Sequence, residues 1–267
     1  MKSIFIIAYN AFRETVRDKI LYNLVFFAIL MIAFSLILGE WSVFARDLVI
    51  KDFALAVMSV SGLLMSIFVG IGLIQKEIQR KTILTLLAKP LPRWYFIVGK
   101  YIGLLMVLFV NVLVMTLVFF IVLLCIGIRP EPSLLLAIYL VYLEMAVLVA
   151  VALLFSSFST PTLSALFTLG VYIAGHLSGD IVNHLKFIRQ YGQRMEGNPM
   201  ISPWMEKLIN GVYYLIPNLE NFNIRGRVVY HLPLGPHYVL FTTLYGLMFI
   251  GMYLLVASLW FNKRDFI

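Results

Sequence analysis

Long apolar segments alternate with short polar segments along this chain of 267 residues. Five of the apolar runs are free of charge, and a sixth is interrupted only by Glu144. A helix of about 20 apolar residues is long enough to cross roughly 30 Å of hydrocarbon. The pattern therefore predicts an all-α integral membrane protein with six transmembrane helices, at residues 20–39, 53–74, 101–128, 133–158, 160–179 and 238–261.

The segment before the first span is amphipathic over residues 3–19. One face is apolar, and the other carries Arg13, Glu14, Arg17 and Asp18. A helix of this kind lies in the plane of the membrane interface. We therefore predict an interfacial helix at residues 1–19 and a six-span domain at residues 20–267, the alternative being a leader that only assists insertion.

A basic segment at residues 75–100 separates the second and third spans, and Glu77 is its only acid. With the N-terminal segment and the C-terminal tail it holds twelve Lys and Arg, against three in the short loops on the other side. Because cytoplasmic loops are enriched in Lys and Arg, both termini are predicted to lie in the cytoplasm, with the chain in the inner membrane. This orientation accounts for the net charge of +8, so no nucleic acid partner is expected.

Residues 82–88 within this segment are predicted to form a short helix that stops before Pro90. The segment closely resembles the loop between spans two and three of ABC type-2 transporter permeases. The matching residues are Glu77, Thr82, Leu84, Leu87, Pro90, Arg93, Gly99 and Lys100. Lys81 departs from the pattern, because the family commonly has glycine there, and this bears on the local turn and on the fit to a particular ATPase.

The resemblance implies a function. In this family the loop is a coupling helix that docks onto a separate ATPase subunit, the N-terminal segment is an elbow helix, and the permease itself is not catalytic. We expect an exporter with two ATPase subunits and a second permease copy, as a homodimer or with a similar chain. ATP and Mg²⁺ are expected in the ATPase, and no cofactor in this chain. The apolar contacts would be Leu84 and Leu87, and the charged rim Lys81, Lys89 and Arg93.

Part of the family is linked with maturation of copper enzymes such as nitrous-oxide reductase, and the chain is expected to resemble that group. A metal site is one interpretation of His176, Asp180 and His184, which would share one helix face. The two histidines would lie about 12 Å apart, too far to bind one ion together. We therefore predict interfacial hydrogen bonding and no metal site.

Composition and missing motifs weigh against other classes of protein. The chain is 62% hydrophobic and 13% charged, too apolar for a soluble domain. It has no G-x-x-x-x-G-K-[ST] phosphate loop, so ATP must be hydrolysed by another chain. An intramembrane enzyme and a secondary transporter are the alternatives. The chain lacks the Gly-x-Ser-x-Gly and His-Glu-x-x-His motifs that would indicate an enzyme. It also lacks the evident repeats and the several buried ionisable groups that would indicate a secondary transporter.

Glu144 is the acid within the apolar runs. An acid at the centre of a span costs about 3 kcal/mol when it faces lipid, so it is expected to face the bundle interior, a cavity or a partner. Two roles stay open. Glu144 either lines the translocation path or clasps two helices through a polar contact, for example with Asn111 or Tyr172.

Small residues form a stripe in the second span, where Gly62, Ser66 and Gly70 recur at four-residue spacing. Such a stripe lets two helices approach closely. It predicts tight packing, either within one subunit or between two.

The longest loop, at residues 180–237, is predicted to lie on the outer face. Helical patterns at 180–195 and 203–215 alternate with several prolines, which indicates short helices and turns. The family resemblance implies that this region is an extracellular gate.

Overall fold

The computed structural model of the chain describes residues 2–42, 45–79, 93–195, 204, 211 and 215–263. The described part is helical almost throughout and contains no β-strand. The all-α prediction is therefore confirmed. The helices are α1 (Lys2–Val16), α2 (Lys19–Trp41), α3 (Arg46–Gln79), α4 (Arg93–Cys125), α5 (Pro132–Phe158), α6 (Pro161–Met195), α7 (Arg225–Val229) and α8 (Tyr238–Lys263), with a 3-10 turn at Leu219–Phe222.

Six of the described helices are long and apolar enough to cross a membrane, namely α2, α3, α4, α5, α6 and α8. Three of them run well beyond the predicted spans. Helix α4 covers Arg93–Cys125, so it begins eight residues before the predicted span of 101–128 and ends three residues short of it. Helix α3 begins at Arg46 and includes Lys51 and Asp52, whereas the predicted span begins at residue 53. Helix α6 continues to Met195, so the helical pattern at 180–195 extends the fifth span. A helix satisfies its backbone groups internally, so it need not stop where the apolar run stops. The predicted helix at 203–215 lies almost entirely outside the described residues.

The chain divides into two compact units, residues 1–168 with 222–267 and residues 169–221. In the first unit α5 is the central helix, and it packs against α3, α4 and α8. Its residues are apolar on all sides and most are buried, as expected for a helix enclosed by others. By contrast, α2 and α8 leave most of their apolar side chains on the surface. Such faces are compatible with lipid, which is as apolar as leucine.

The small-residue stripe of α3 packs against α5 of the same chain. A Cβ added at Gly62 would lie 1.8 Å from the Met145 Cε, and one added at Gly70 would lie 2.9 Å from the Ala152 Cβ. Between them, the Ser66 Oγ donates a hydrogen bond to the Met145 carbonyl oxygen at 3.3 Å. Of the two alternatives left open by the sequence, the structure therefore shows packing within one subunit.

In the second unit, residues 217–219 pack closely against α6 at Gly175, which has no side chain to prevent the approach. A Cβ added at Gly175 would lie 2.7 Å from the Leu219 Cγ and 2.8 Å from the Pro217 carbonyl oxygen. The Ser178 hydroxyl donates to the Gly175 carbonyl oxygen at 2.9 Å, which satisfies that hydroxyl within the helix. The segment before the 3-10 turn is thus held at the Gly175 face of α6.

Gly70→Val tests the α3–α5 contact. The Ala152 Cβ is fixed to its backbone and cannot move aside, so the helices must separate, at a cost of about 1–3 kcal/mol. We expect a lower midpoint of thermal unfolding in detergent. Gly251→Val in α8 is the control, because no described heavy atom lies within 4 Å of its added Cβ. Equal loss of stability in the two variants would contradict the packing described here.

Candidate functional site

The predicted coupling segment joins two spanning helices. Helix α3 ends at Gln79 and α4 begins at Arg93. Glu77 therefore lies in the last turn of α3, and Arg93 is the first residue of α4. The other predicted contacts fall outside the described residues, so their docking onto an ATPase stays a prediction. These are Lys81, Thr82, Leu84, Leu87, Lys89 and Pro90.

The first part of α4, which includes the end of this segment, is held by α1. A Cβ added at Gly103 would lie 2.5 Å from the Ala8 carbonyl oxygen and 2.6 Å from the Ala11 Cβ. A Cβ added at Gly99 would lie 2.8 Å from the Ile7 Cβ. The two missing side chains let the backbone of α1 approach α4 closely. Gly99, part of the family-like motif, thus has a packing role within the chain.

Lys100 lies inside this contact. Its side chain is 4% exposed, and its Nζ is 3.9 Å from Oε2 of Glu14 on α1. The same ammonium lies 5.6 Å from the centroid of the Phe96 ring, which stacks on Phe261 of α8 at 5.4 Å. The Lys100 ammonium thus faces the protein's own interior. The geometry connects it to α1, and its predicted role in ATPase coupling stays a prediction.

Glu144 is 4% exposed, so it faces the interior of the bundle and not the lipid. Two tyrosines connect this part of α5 to α4. The Tyr101 hydroxyl donates to the Ala146 carbonyl oxygen at 3.2 Å, and the Tyr142 hydroxyl donates to the Leu105 carbonyl oxygen at 3.2 Å. These two hydrogen bonds fix the position of α5 along its axis relative to α4, close to the buried Glu144.

Asn111, one predicted partner of Glu144, is also buried on α4. Its Nδ2 has no hydrogen-bond acceptor among the described residues, so this nitrogen does not donate to Glu144. Tyr172, the other predicted partner of Glu144, belongs to the second unit, where the centroid of its ring lies 4.4 Å from that of the His176 ring. The His176 Nδ1 is 3.2 Å from the Tyr172 carbonyl oxygen. The side chains of Asp180 and His184 lie outside the described part.

A charged cluster that the sequence analysis missed lies at the other end of α3. Lys51 Nζ donates to Glu131 Oε1 at 2.9 Å, and His231 Nδ1 lies 3.2 Å from Glu131 Oε2. The neighbouring Asp52 accepts from Arg225 Nε at 2.9 Å. These five residues are called the outer charge cluster below, because the predicted topology puts this end of α3 on the outer face. Lys51 and Asp52 stand immediately before the predicted second span, and reading the helix two residues further back would have drawn attention to them.

The Lys51 side chain is 5% exposed, so its charge depends on Glu131 for compensation. The hydrogen bond from Lys51 lowers the pKa of the Glu131 carboxyl, and the charges of Lys51 and His231 add to this against the opposing effect of burial. Beside the pair opens a cavity of about 670 Å³, whose charged lining residues are Arg46, Asp47, Lys51, Arg129 and Glu131.

The comparison with protein families agrees with this architecture. The family described as ABC-2 family transporter protein matches residues 5–266, nearly the whole chain. The chain therefore belongs to that family and is a membrane permease component of an ABC transporter. Members are generally non-catalytic and work with an ABC ATPase. No curated protein matches the chain.

Glu131→Gln tests the electrostatics of the cluster. Because the folded pKa of Glu131 is lowered, its charge stabilises the fold above the unfolded value of about 4.3. That contribution is lost as the pH falls through the lowered folded value. We expect the unfolding midpoint of the wild type to exceed that of Glu131→Gln at neutral pH, and the difference to shrink below about pH 4.

The measurement is thermal unfolding of both proteins in detergent across this pH range. Glu40→Gln is the control, because Glu40 lies 3.7 Å from Arg46 and its side chain is 71% exposed. Exposed pairs contribute little to stability. A difference between wild type and Glu131→Gln that does not change with pH would contradict the assigned role of the Glu131 charge.

Proposed function

We propose that this chain is the permease of an ATP-driven exporter, working as a pair of permeases with two separate ATPase subunits. Family membership supports the permease role. The observation that carries the coupling role is the basic, motif-bearing segment at residues 75–100, which joins the ends of two unbroken spanning helices. Two ATPases that close on each other need two coupling helices, and one chain supplies one.

The proposed mechanism is mechanical. Closure of the ATPases moves residues 82–88, and this motion acts on the ends of α3 and α4 at once. Helix α3 runs unbroken for 34 residues and α4 for 33, so each transmits a displacement along its length. Helix α1, seated on Gly99 and Gly103, moves with α4 and serves as the interfacial elbow. Coupling free energy passes between sites in this way when both bias one two-state element.

The placement in the inner membrane with cytoplasmic termini rests on the Lys and Arg distribution. The resemblance to the copper-enzyme maturation group stays a prediction, as does the gating role of the outer loop. The absence of a metal site stays a prediction; within the described residues there is no group of three His, Cys, Asp or Glu side chains that could hold an ion.

Of the two roles left open for Glu144, we propose that it clasps helices through a polar contact and does not line the translocation path. A residue that lines a cavity between two permeases is exposed when one permease is viewed alone, whereas Glu144 is 4% exposed in the single chain. Its neighbours on α5 bond to α4 and α3 through Ala146, Tyr142 and Met145. Glu144 therefore acts within the helix packing of one subunit.

The Glu144 proposal predicts different effects for two substitutions. Glu144→Gln keeps a hydrogen-bonding side chain and is expected to retain both the unfolding midpoint and transport-coupled ATP hydrolysis. Glu144→Ala leaves a cavity and is expected to lower stability by about 2–4 kcal/mol while the folded fraction stays active. Unfolding in detergent and ATPase assays in vesicles measure the two effects. Loss of coupled activity in a stable Glu144→Gln protein would favour the path instead.

Leu87→Asp tests the coupling segment. A buried carboxylate in an apolar contact with the ATPase is costly, so the docked state is expected to be lost. We expect the variant to insert and fold while the copurifying ATPase is reduced by about tenfold or more, a factor that corresponds to roughly 1.4 kcal/mol. Pull-down of the tagged permease from membranes measures this.

Leu232→Asp is the matched control. Leu232 is 56% exposed and follows α7, on the side of the membrane predicted to face away from the ATPase. The same chemical change there should leave the amount of copurified ATPase unchanged. Absence of any ATPase with the wild-type chain, or equal binding by Leu87→Asp and wild type, would overturn the proposed docking.

A further inference from the structure

We propose that the outer charge cluster is a strut that fixes the outer end of α3 to the start of α5 and to residues 225–231, so that these three parts move as one body. Its role in transport rests on the function proposed above. The strut itself is a property of this chain alone, which makes the two separately testable.

Two adjacent residues of α3 bond to two different elements. Lys51 reaches Glu131, which directly precedes α5, and Asp52 accepts from Arg225, the first residue of α7. Successive residues of a helix point about 100° apart. A rotation of α3 about its axis would therefore strain both bonds, so the pair of contacts fixes the rotation of α3 as well as its distance from its neighbours.

Among the contacts of the cluster, the Lys51–Glu131 ion pair is the most protected from water, because the Lys51 side chain is buried. The Lys51 side chain is 5% exposed, and removal of its counter-charge would leave a buried cation without compensation. The nearby Arg46–Glu40 pair is different, because its side chains are 45% and 71% exposed and its atoms are 3.7 Å apart. Such a pair exchanges freely with water. The Lys51–Glu131 contact is therefore the lasting part of the strut, whereas the side chains of the Asp52–Arg225 pair are 50% and 35% exposed and His231 is 58% exposed.

Glu131 joins all three parts. Its Oε1 accepts from Lys51, and its Oε2 lies 3.2 Å from the Nδ1 of His231. His231 has a φ of 53°, a left-handed conformation that is rare for residues with a side chain. The backbone N–H groups of His231 and Leu232 donate to the carbonyl oxygens of Val228 and Arg227, so this conformation closes the end of α7. The contact of His231 with Glu131 thus places the end of α7 against the residue that precedes α5.

The position of the strut gives it a role in transport. Helix α3 runs from the outer charge cluster to the coupling segment without a break. A displacement at Gln79 is therefore delivered at Lys51 and Asp52, and through the strut to residues 225–231. Lys51, Glu131 and His231 also line the outer cavity of about 670 Å³. We infer that the state of the ATPase changes the shape of this cavity.

The first experiment uses the permease alone in lipid nanodiscs and measures distances between spin labels by pulsed electron paramagnetic resonance. Labels are attached at Asp47→Cys and Tyr230→Cys, both exposed positions, after Cys125→Ser removes the single native cysteine. We expect a narrow distance distribution in this background and a broad one in Glu131→Gln. The population outside the narrow peak should rise by about tenfold, a factor that corresponds to roughly 1.4 kcal/mol.

Two further variants separate a strut from general stability. Glu40→Gln removes the exposed pair and should leave the distribution narrow. Lys51→Met with Glu131→Gln removes the buried charge as well, and such replacement often restores stability. We expect its unfolding midpoint to return towards that of the wild type while the distribution stays broad. A narrow distribution in Glu131→Gln or in the double variant would overturn the strut.

The second experiment uses the complex with its copurified ATPase. The reaction rate of Tyr230→Cys with a membrane-impermeant maleimide is compared with and without trapping by ATP and vanadate, in the Cys125→Ser background. We expect trapping to change the rate severalfold, and Glu131→Gln to lose this change while still hydrolysing ATP. A rate insensitive to trapping, or equally sensitive in Glu131→Gln, would overturn the transport role. Failure to find an ATPase would contradict only the proposed function, because the distance measurement needs the chain alone.

Discussion

The structure depends on the need to satisfy every backbone polar group without water. Within hydrocarbon only an unbroken helix or a closed barrel meets that need. In this chain the helices continue past their apolar runs, and α3 and α6 are the longest of them. A helix that is continuous from one face to the other is also a rigid connection. The solution to the backbone problem therefore supplies the means to transmit motion.

Contacts between the helices use small residues and single polar bonds. Lipid offers no hydrophobic force to drive helices together, so close approach and hydrogen bonds have to suffice. Gly62 and Gly70 admit α5 against α3, and Gly103 admits α1 against α4. The Tyr101 hydroxyl adds a bond between α4 and α5. These contacts lie in one subunit, which leaves the apolar faces of α2 and α8 for lipid or a second copy.

Two buried cations of the described residues lie near the two ends of the bundle, and each has an acidic partner. Lys100 is matched by Glu14 where α4 begins, and Lys51 by Glu131 where α3 begins. Each buried cation needs a counter-charge because its desolvation is otherwise uncompensated. The two pairs differ in what they join. The first attaches α1 to the helix that follows the coupling segment, and the second attaches α3 to α5 and, through His231, to the segment after α7.

The sequence by itself determined the helical class, the number of spans and the basic segment between the second and third. Apolar run length and charge are local properties, and the membrane acts on each run separately. Only the tertiary structure showed that the Gly62 stripe packs within the chain, that Lys100 faces Glu14, and that Lys51 meets Glu131, eighty residues away. Partners that distant are chosen by how helices pack, and no periodicity along the chain encodes that choice.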